Sequence, residues 1–261
     1  MKGHRSFHAI LLAAALIVLA PATSHAQGEL CEGYGPQTPR DIADPAGESP
    51  VTFSVAPAAP EMNLCNIHFH KNAEHRGPGF SDFAGEGDFG GYRCNGTARE
   101  EDAGAICGNV HVGDTVEVHW VFTTCDVEPG EGLGSCLSDA CANPQLRVET
   151  QVFNVVGDSD GGQDFGRYTL APEPVDGFHQ PREVPTATGE AVVFLGSTTG
   201  PSYDASSKCS PLQVTWSVRP QCAPVSAESL AAWCGANPFA ETKAHGVRAL
   251  VTDPTLLSPI R

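Results

Sequence analysis

The sequence is short of positive charge. Its 261 residues carry 15 Lys and Arg against 31 Asp and Glu, a formal net charge of −16. That balance argues against nucleic acid and anionic membrane surfaces as partners. In a folded chain it reads most simply as solubility. No two cysteines stand as Cys-x-x-Cys, which argues against a cysteine-based metal ribbon. Long apolar runs are also missing apart from residues 9–20, a run too short to span a bilayer comfortably. Strands do not alternate with helical stretches and nothing repeats, so βαβ architectures and solenoids drop out.

What is there begins with Lys2 and Arg5 ahead of that apolar run, followed by the small residues of Ser24-His25-Ala26. This pattern predicts a secretory signal peptide over residues 1–26, cleaved before Gln27. Gly28-Glu29-Leu30 ahead of Cys31 lacks the small residues expected beside a lipidated cysteine. Loss of Lys2 and Arg5 leaves 13 basic residues against 31 acids, a formal charge of −18. All ten cysteines (Cys31, Cys65, Cys94, Cys107, Cys125, Cys136, Cys141, Cys209, Cys222 and Cys234) follow the cleavage point. An even count in an exported chain predicts up to five disulfides, whose pairing sequence cannot choose. The expected location is periplasmic or secreted, with no membrane attachment once the signal is removed. Because thiols oxidise there, any metal ligands should be histidines.

Residues 27–60, rich in Pro, Gly and Asp, predict an irregular N-terminal arm with one strand at 51–55. Residues 76–93 contain Gly85, Gly87, Gly90 and Gly91 and read as a long loop. Residues 125–144 are irregular and hold three cysteines. Runs of β-branched and aromatic residues predict strands within 110–123 and at 145–156, 191–195 and 212–218. Ser226 starts the one convincing helix, which runs through Trp233 and stops at Gly235. The expected fold is mainly β (α+β). It is a single domain over 27–261 on a central, mostly antiparallel twisted sheet with few short peripheral helices. Two weaker signals are an acidic turn at 158–164, which lacks the glutamate of a Ca²⁺ loop, and the sequon Asn95-Gly96-Thr97.

The chain is organised around Cys65-Asn66-Ile67-His68-Phe69-His70-Lys71-Asn72-Ala73-Glu74-His75. As a strand it points His68 and His70 to one face, close enough to share a metal ion. His119 sits mid-strand among apolar neighbours, where both ring nitrogens need partners. Glu117, two residues earlier on the same face, can accept one ring N–H and so fix the tautomer. Three neutral histidines on Zn²⁺, one ion per chain, leave a fourth position for water whose pKa falls to about 7.

His68-Phe69-His70, Ala73-Glu74-His75, Glu117-Val118-His119 and Gly196-Ser197-Thr198-Thr199-Gly200-Pro201 resemble carbonic anhydrase in order and spacing. The α-class carries a His-x-His strand, a Ser-Glu-His segment, a Glu-Leu-His strand and a Gly-Ser-Leu-Thr-Thr-Pro-Pro loop. The stretch from Cys65 to His75 looks more like the δ-class, in particular its bacterial members. The resemblance covers residues 63–233 and implies that His68, His70 and His119 hold zinc while Glu117 orients His119. It implies that Thr198 accepts a hydrogen bond from zinc-bound hydroxide and donates to Glu74, with Thr199 lining the bicarbonate position. The reaction implied is hydration of CO₂ to bicarbonate and a proton by hydroxide attack. Proton carriers stay open among His75, His111, His179 and His245, with His75 and His111 put first. Val121, Val193 and Trp216 are expected around the CO₂. This chain lacks one residue of the α-type loop and has a shorter gap between His70 and Glu74. One alternative makes Glu74 a metal ligand, as in the cupin barrels, although the flanking glycines of that motif are missing. Another is an exported protein of this fold without catalysis. Oligomeric state is not readable from the sequence.

Overall fold

The β-branched and aromatic runs form nine strands and one helix in the computed structural model, which describes residues 40–45, 54–97, 104–157, 160–199 and 211–247. The strands are β1 (Asn63–Lys71), β2 (Asp82–Gly85), β3 (Gly91–Arg93), β4 (Thr115–Thr123), β5 (Leu146–Val156), β6 (Val192–Thr199), β7 (Pro211–Val218), β8 (Ala223–Ser226) and β9 (His245–Gly246). The helix, α1, is Ala227–Gly235. Seven strands join in the order β6-β7-β5-β4-β1-β9, and β8 pairs the far half of β5. The longer ladders (β1 with β4, β4 with β5, β6 with β7) are antiparallel. The shorter ones (β5 with β7, β5 with β8, β1 with β9) are parallel. The sheet is therefore mostly antiparallel, as expected, with a parallel minority that arises because β7, β8 and β9 return to it by long connections.

Every residue of β4 is buried, so both faces of the sheet are covered. Val116, Val118, Trp120 and Phe122 face one apolar layer together with Ile67, Phe69 and the α1 residues Leu230 and Trp233. Ser226 caps α1 by accepting from Ser229 N. The opposite layer holds Val121, Val148, Val152, Phe194, Val214 and Trp216. A β-bulge between Leu64 and Asn66 resets the alternation of β1. Leu64 and Ile67 thus share the helix-side core, while Asn66, His68 and His70 turn to the other face.

Three expectations need correction. The stretch 76–93 is not all loop: β2 and β3 form a hairpin in which Phe83 stands opposite Tyr92. The strand expected at 191–195 runs on to Thr199 and stays paired with β7 throughout, so Gly196-Ser197-Thr198-Thr199 is strand rather than loop. Of the strand expected at 51–55, residues 51–53 lie outside the described residues, and Ser54 and Val55 are in no strand. Among the described residues there are four disulfides: Cys65–Cys136, Cys94–Cys222, Cys107–Cys234 and Cys125–Cys141. Cys31 and Cys209 lie outside the described residues, as do residues 1–26. The disulfides fit an oxidising compartment. No described helix is long and apolar enough to cross a membrane.

Candidate metal centre

Strand register assembles the centre. In the β1–β4 ladder His68 stands opposite His119 and His70 opposite Glu117. Directly opposed residues of an antiparallel pair project from the same face, so four polar side chains meet in the middle of the sheet. The rings of His68, His70 and His119 converge with centroids 4.9–5.3 Å apart. Their ligating nitrogens all lie within 4.8 Å of one another.

Two of the imidazoles have one nitrogen hydrogen-bonded, and the third has a carboxylate beside it. His68 Nδ1 donates to Asn66 Oδ1 at 2.6 Å. Asn66 is oriented in turn because its Nδ2 donates to the Gly130 carbonyl at 2.9 Å. His70 Nδ1 donates to the Gly246 carbonyl at 3.3 Å. His119 Nε2 faces Glu117 Oε2 at 3.6 Å, long for a hydrogen bond but the charge-bearing partner on that side. Asn66 Oδ1 and the Gly246 carbonyl can only accept, which puts the ring protons of His68 and His70 on Nδ1 and leaves their Nε2 lone pairs free. The Glu117 carboxylate beside His119 Nε2 favours the proton there and a lone pair at His119 Nδ1. His68 Nε2 and His119 Nδ1 then face each other at 3.3 Å. Two lone pairs at that distance repel unless a cation lies between them. Tetrahedral zinc with Zn–N of 2.0–2.1 Å sets its nitrogen ligands about 3.3 Å apart, so this donor set fits the ion.

The electrostatics agree. Burial, and then the neighbouring imidazoles, push the pKa of His68 and His70 well below the usual 6.5. Both stay in the neutral, ligating form. Burial alone would raise the Glu117 carboxyl, yet His75 and His119 beside it hold it well below the carboxylate range. Glu117 Oε1 accepts from His75 Nδ1 at 2.6 Å and Oε2 from the Glu74 backbone N–H at 2.6 Å. His75, Glu117 and His119 form a second convergent group among the described residues. His75 and Glu117 side chains are wholly buried and bonded to each other, so this group braces His119 and offers no open side. Glu74 belongs to neither group, contrary to what a glutamate ligand would require.

A cavity of about 20 Å³ lies over the histidines, bordered by Glu74, Thr198, Leu133, Val121, Val148 and Trp216. It has room for roughly one water molecule. Thr198 reaches it because alternation along β6 puts Phe194 and Thr198 on one face. Thr199 ends β6, and its side chain lies outside the described residues. A wider cavity of about 360 Å³ opens beside it, touched by His68, His70, Leu133, Glu131, Glu241 and His245. The loop that carries Leu133 is tied to β1 by Cys65–Cys136 and by Gly130 N to the Cys65 carbonyl.

Other sequence candidates fall elsewhere. Val193 is 54% exposed, on the strand position that alternation turns away from the cavity. His75 is closed off from solvent, and His111 pairs with Asp114 ahead of β4 and borders neither cavity. His179 contacts Glu128 and borders neither cavity. His245 stands at the wider mouth with its side chain 46% exposed, and its ring centroid is 5.9 Å from that of His68. Its hydrogen bond to Glu241 raises its pKa above 6.5 against the effect of burial. Asn66, Gly246 and Arg40 were missed. Asn66 was legible in principle, being two residues before His68 on the same strand. Gly246 and Arg40 carry no sequence signal, since only folding brings Gly246 to His70 and Arg40 to Glu74.

A family model described as Delta carbonic anhydrase matches residues 59–229. No curated protein and no solved structure matches the chain.

Proposed function

Because the chain belongs to the delta carbonic anhydrase family, we propose that it is an exported, zinc-dependent enzyme converting CO₂ and water to bicarbonate and a proton, reversibly. The observation that carries this reading is the pair of lone pairs, His68 Nε2 and His119 Nδ1, facing each other at 3.3 Å beneath a cavity bordered by Glu74 and Thr198. Zinc held by His68, His70 and His119 would lower the pKa of a coordinated water to about 7 and so supply a nucleophile at neutral pH.

The chain's own residues do the rest. Asn66, the Gly246 carbonyl and Glu117 each hold one imidazole in the tautomer that leaves its ligating nitrogen free. Thr198 accepts a hydrogen bond from the attacking oxygen and donates its own hydroxyl hydrogen to Glu74. This aims the oxygen's free lone pair at CO₂ and disfavours ligands with no proton to give. Val121, Val148 and Trp216 offer CO₂, which has no hydrogen to donate, an apolar wall. His245, hydrogen-bonded to Glu241 and open to solvent, carries the product proton outward. Four disulfides support export, with residues 1–26 as the signal.

Metal analysis coupled to a CO₂ hydration assay tests this. Wild type should hold about one zinc per chain and hydrate CO₂, whereas His119→Ala should lose both metal and activity. Stoichiometric zinc in a wild type without hydration activity would sink the proposal and leave a non-catalytic protein of this family.

A further inference from the structure

The mechanism above leaves unused a buried cation beside Glu74. Arg40 lies in the short N-terminal segment 40–45 and is 1% exposed. Backbone bonds fasten the segment: Arg76 N donates to the Arg40 carbonyl at 2.6 Å and Ile42 N to the Arg76 carbonyl at 3.1 Å. Arg76 and Asp41 add an ion pair at 2.9 Å, and Ile42 is buried in the site-side core. So anchored, the guanidinium reaches Glu74 twice. Nη2 lies 3.4 Å from Glu74 Oε1, and Nη1 donates to the carbonyl oxygen of Glu74 at 3.5 Å.

Arginine keeps its charge in any protein environment. Taking it out of water together with a carboxylate is a poor source of stability, since desolvation offsets the attraction. The arrangement does give geometric control. Glu74 donates its N–H to Glu117 Oε2, accepts at its carbonyl from Arg40, and has Oε1 in an ion pair with the same guanidinium. Glu74 and Thr198 border the same small cavity over the histidines.

We propose that Arg40 is a positioning residue for this reaction: its guanidinium fixes the Glu74 carboxylate so that one defined oxygen takes the Thr198 hydrogen bond. The inference rests on the assignment of Glu74 and Thr198 under the proposed function. It also gives the N-terminal segment a role in the site.

A double-mutant cycle tests it, with wild type, Arg40→Met, Glu74→Gln and the double variant compared by kcat per bound zinc and by azide affinity from calorimetry. Misplacing a positioned group costs about 10²-fold, so Arg40→Met and Glu74→Gln should each lower kcat on that order. Each should also tighten azide, an anion with no proton to donate. In the Glu74→Gln background Arg40→Met should change neither quantity further. Arg40→Lys, which keeps the charge and loses the fork, should fall between wild type and Arg40→Met, and it decides the matter if Arg40→Met does not fold. Unchanged kcat per zinc and unchanged azide affinity in the Arg40 variants would overturn the inference, and so would effects that multiply in the double variant. A wild type that binds zinc without hydrating CO₂ fails the functional reading itself and takes this inference with it.

Discussion

At the residue scale, the histidines are useful ligands because of what their second nitrogens do. His68 and His70 are held neutral by burial, and this has a consequence for the metal-free protein. A folded-state pKa below the unfolded value of 6.5 means that the unfolded chain binds more protons as pH drops through 6.5. Stability therefore falls as pH drops below about 6.5, and levels off only below the depressed folded pKa. His245 has the opposite sign, since its pKa is raised; its contribution is fully present below 6.5 and fades as pH rises through its folded value. Urea midpoints of apoprotein at pH 7.5 and 5.5 check this. The midpoint should drop at the lower pH, and His70→Gln, which removes one depressed group, should shrink that drop. An equal drop in the variant would refute the assignment.

At the element scale, the centre depends on its smallest strand. β9 has two residues, and His70 of β1 pairs with His245 of β9 in a parallel register that brings the Gly246 carbonyl to His70 Nδ1. Glycine is required there by space: a Cβ on Gly246 would meet the Asp88 carbonyl oxygen at 2.5 Å, and backbone cannot yield as a side chain can. Gly246→Ala should push β9 off the hairpin loop between β2 and β3 and loosen the His70 ring. The expected result is zinc affinity weaker by about 10–100-fold, the usual cost of losing a partner that orients a ligand. Competition with a chelator of known affinity measures it, and wild-type affinity in the variant would show that β9 does not orient His70.

At the scale of the whole molecule, a mixed sheet with long returns needs its ends fastened. Cys94–Cys222 and Cys107–Cys234 close loops of 128 and 127 residues, while Cys125–Cys141 closes one of 16. In the chain-entropy account, removing a crosslink over a loop of that longer length costs about 5 kcal/mol, against about 3 kcal/mol for the shorter. Paired Cys→Ser variants compared by urea unfolding should therefore rank Cys94/Cys222 as the more damaging loss relative to Cys125/Cys141. The reverse order would reject chain entropy as the main source of their stabilisation. Cys107–Cys234 also ties α1 to the turn before β4, and Cys65–Cys136 ties the loop bearing Leu133 to β1. The disulfides thus act on the site's walls as well as on the unfolded chain.

What the sequence by itself determined was local. Period-two alternation put His68 with His70 and Glu117 with His119 on shared faces, and apolar runs marked β4, β5 and β7. The one helix was marked by its Ser226 cap and by Gly235. These follow from backbone stereochemistry and nearest-neighbour chemistry, which a linear chain states directly. Tertiary structure decided the rest. Only the β1–β4 register brought His119 opposite His68, and only the bulge after Leu64 turned both ligands away from the helix-side core. Folding extended β6 through Thr198, because β7 pairs a stretch whose glycine and threonines read as loop. It also closed His75 off from solvent and turned Val193 outward. It brought Arg40 to Glu74 across 34 residues and Gly246 to His70 across 176. Contacts at such separations depend on strand pairing and crosslinks, and no local pattern in the chain encodes them.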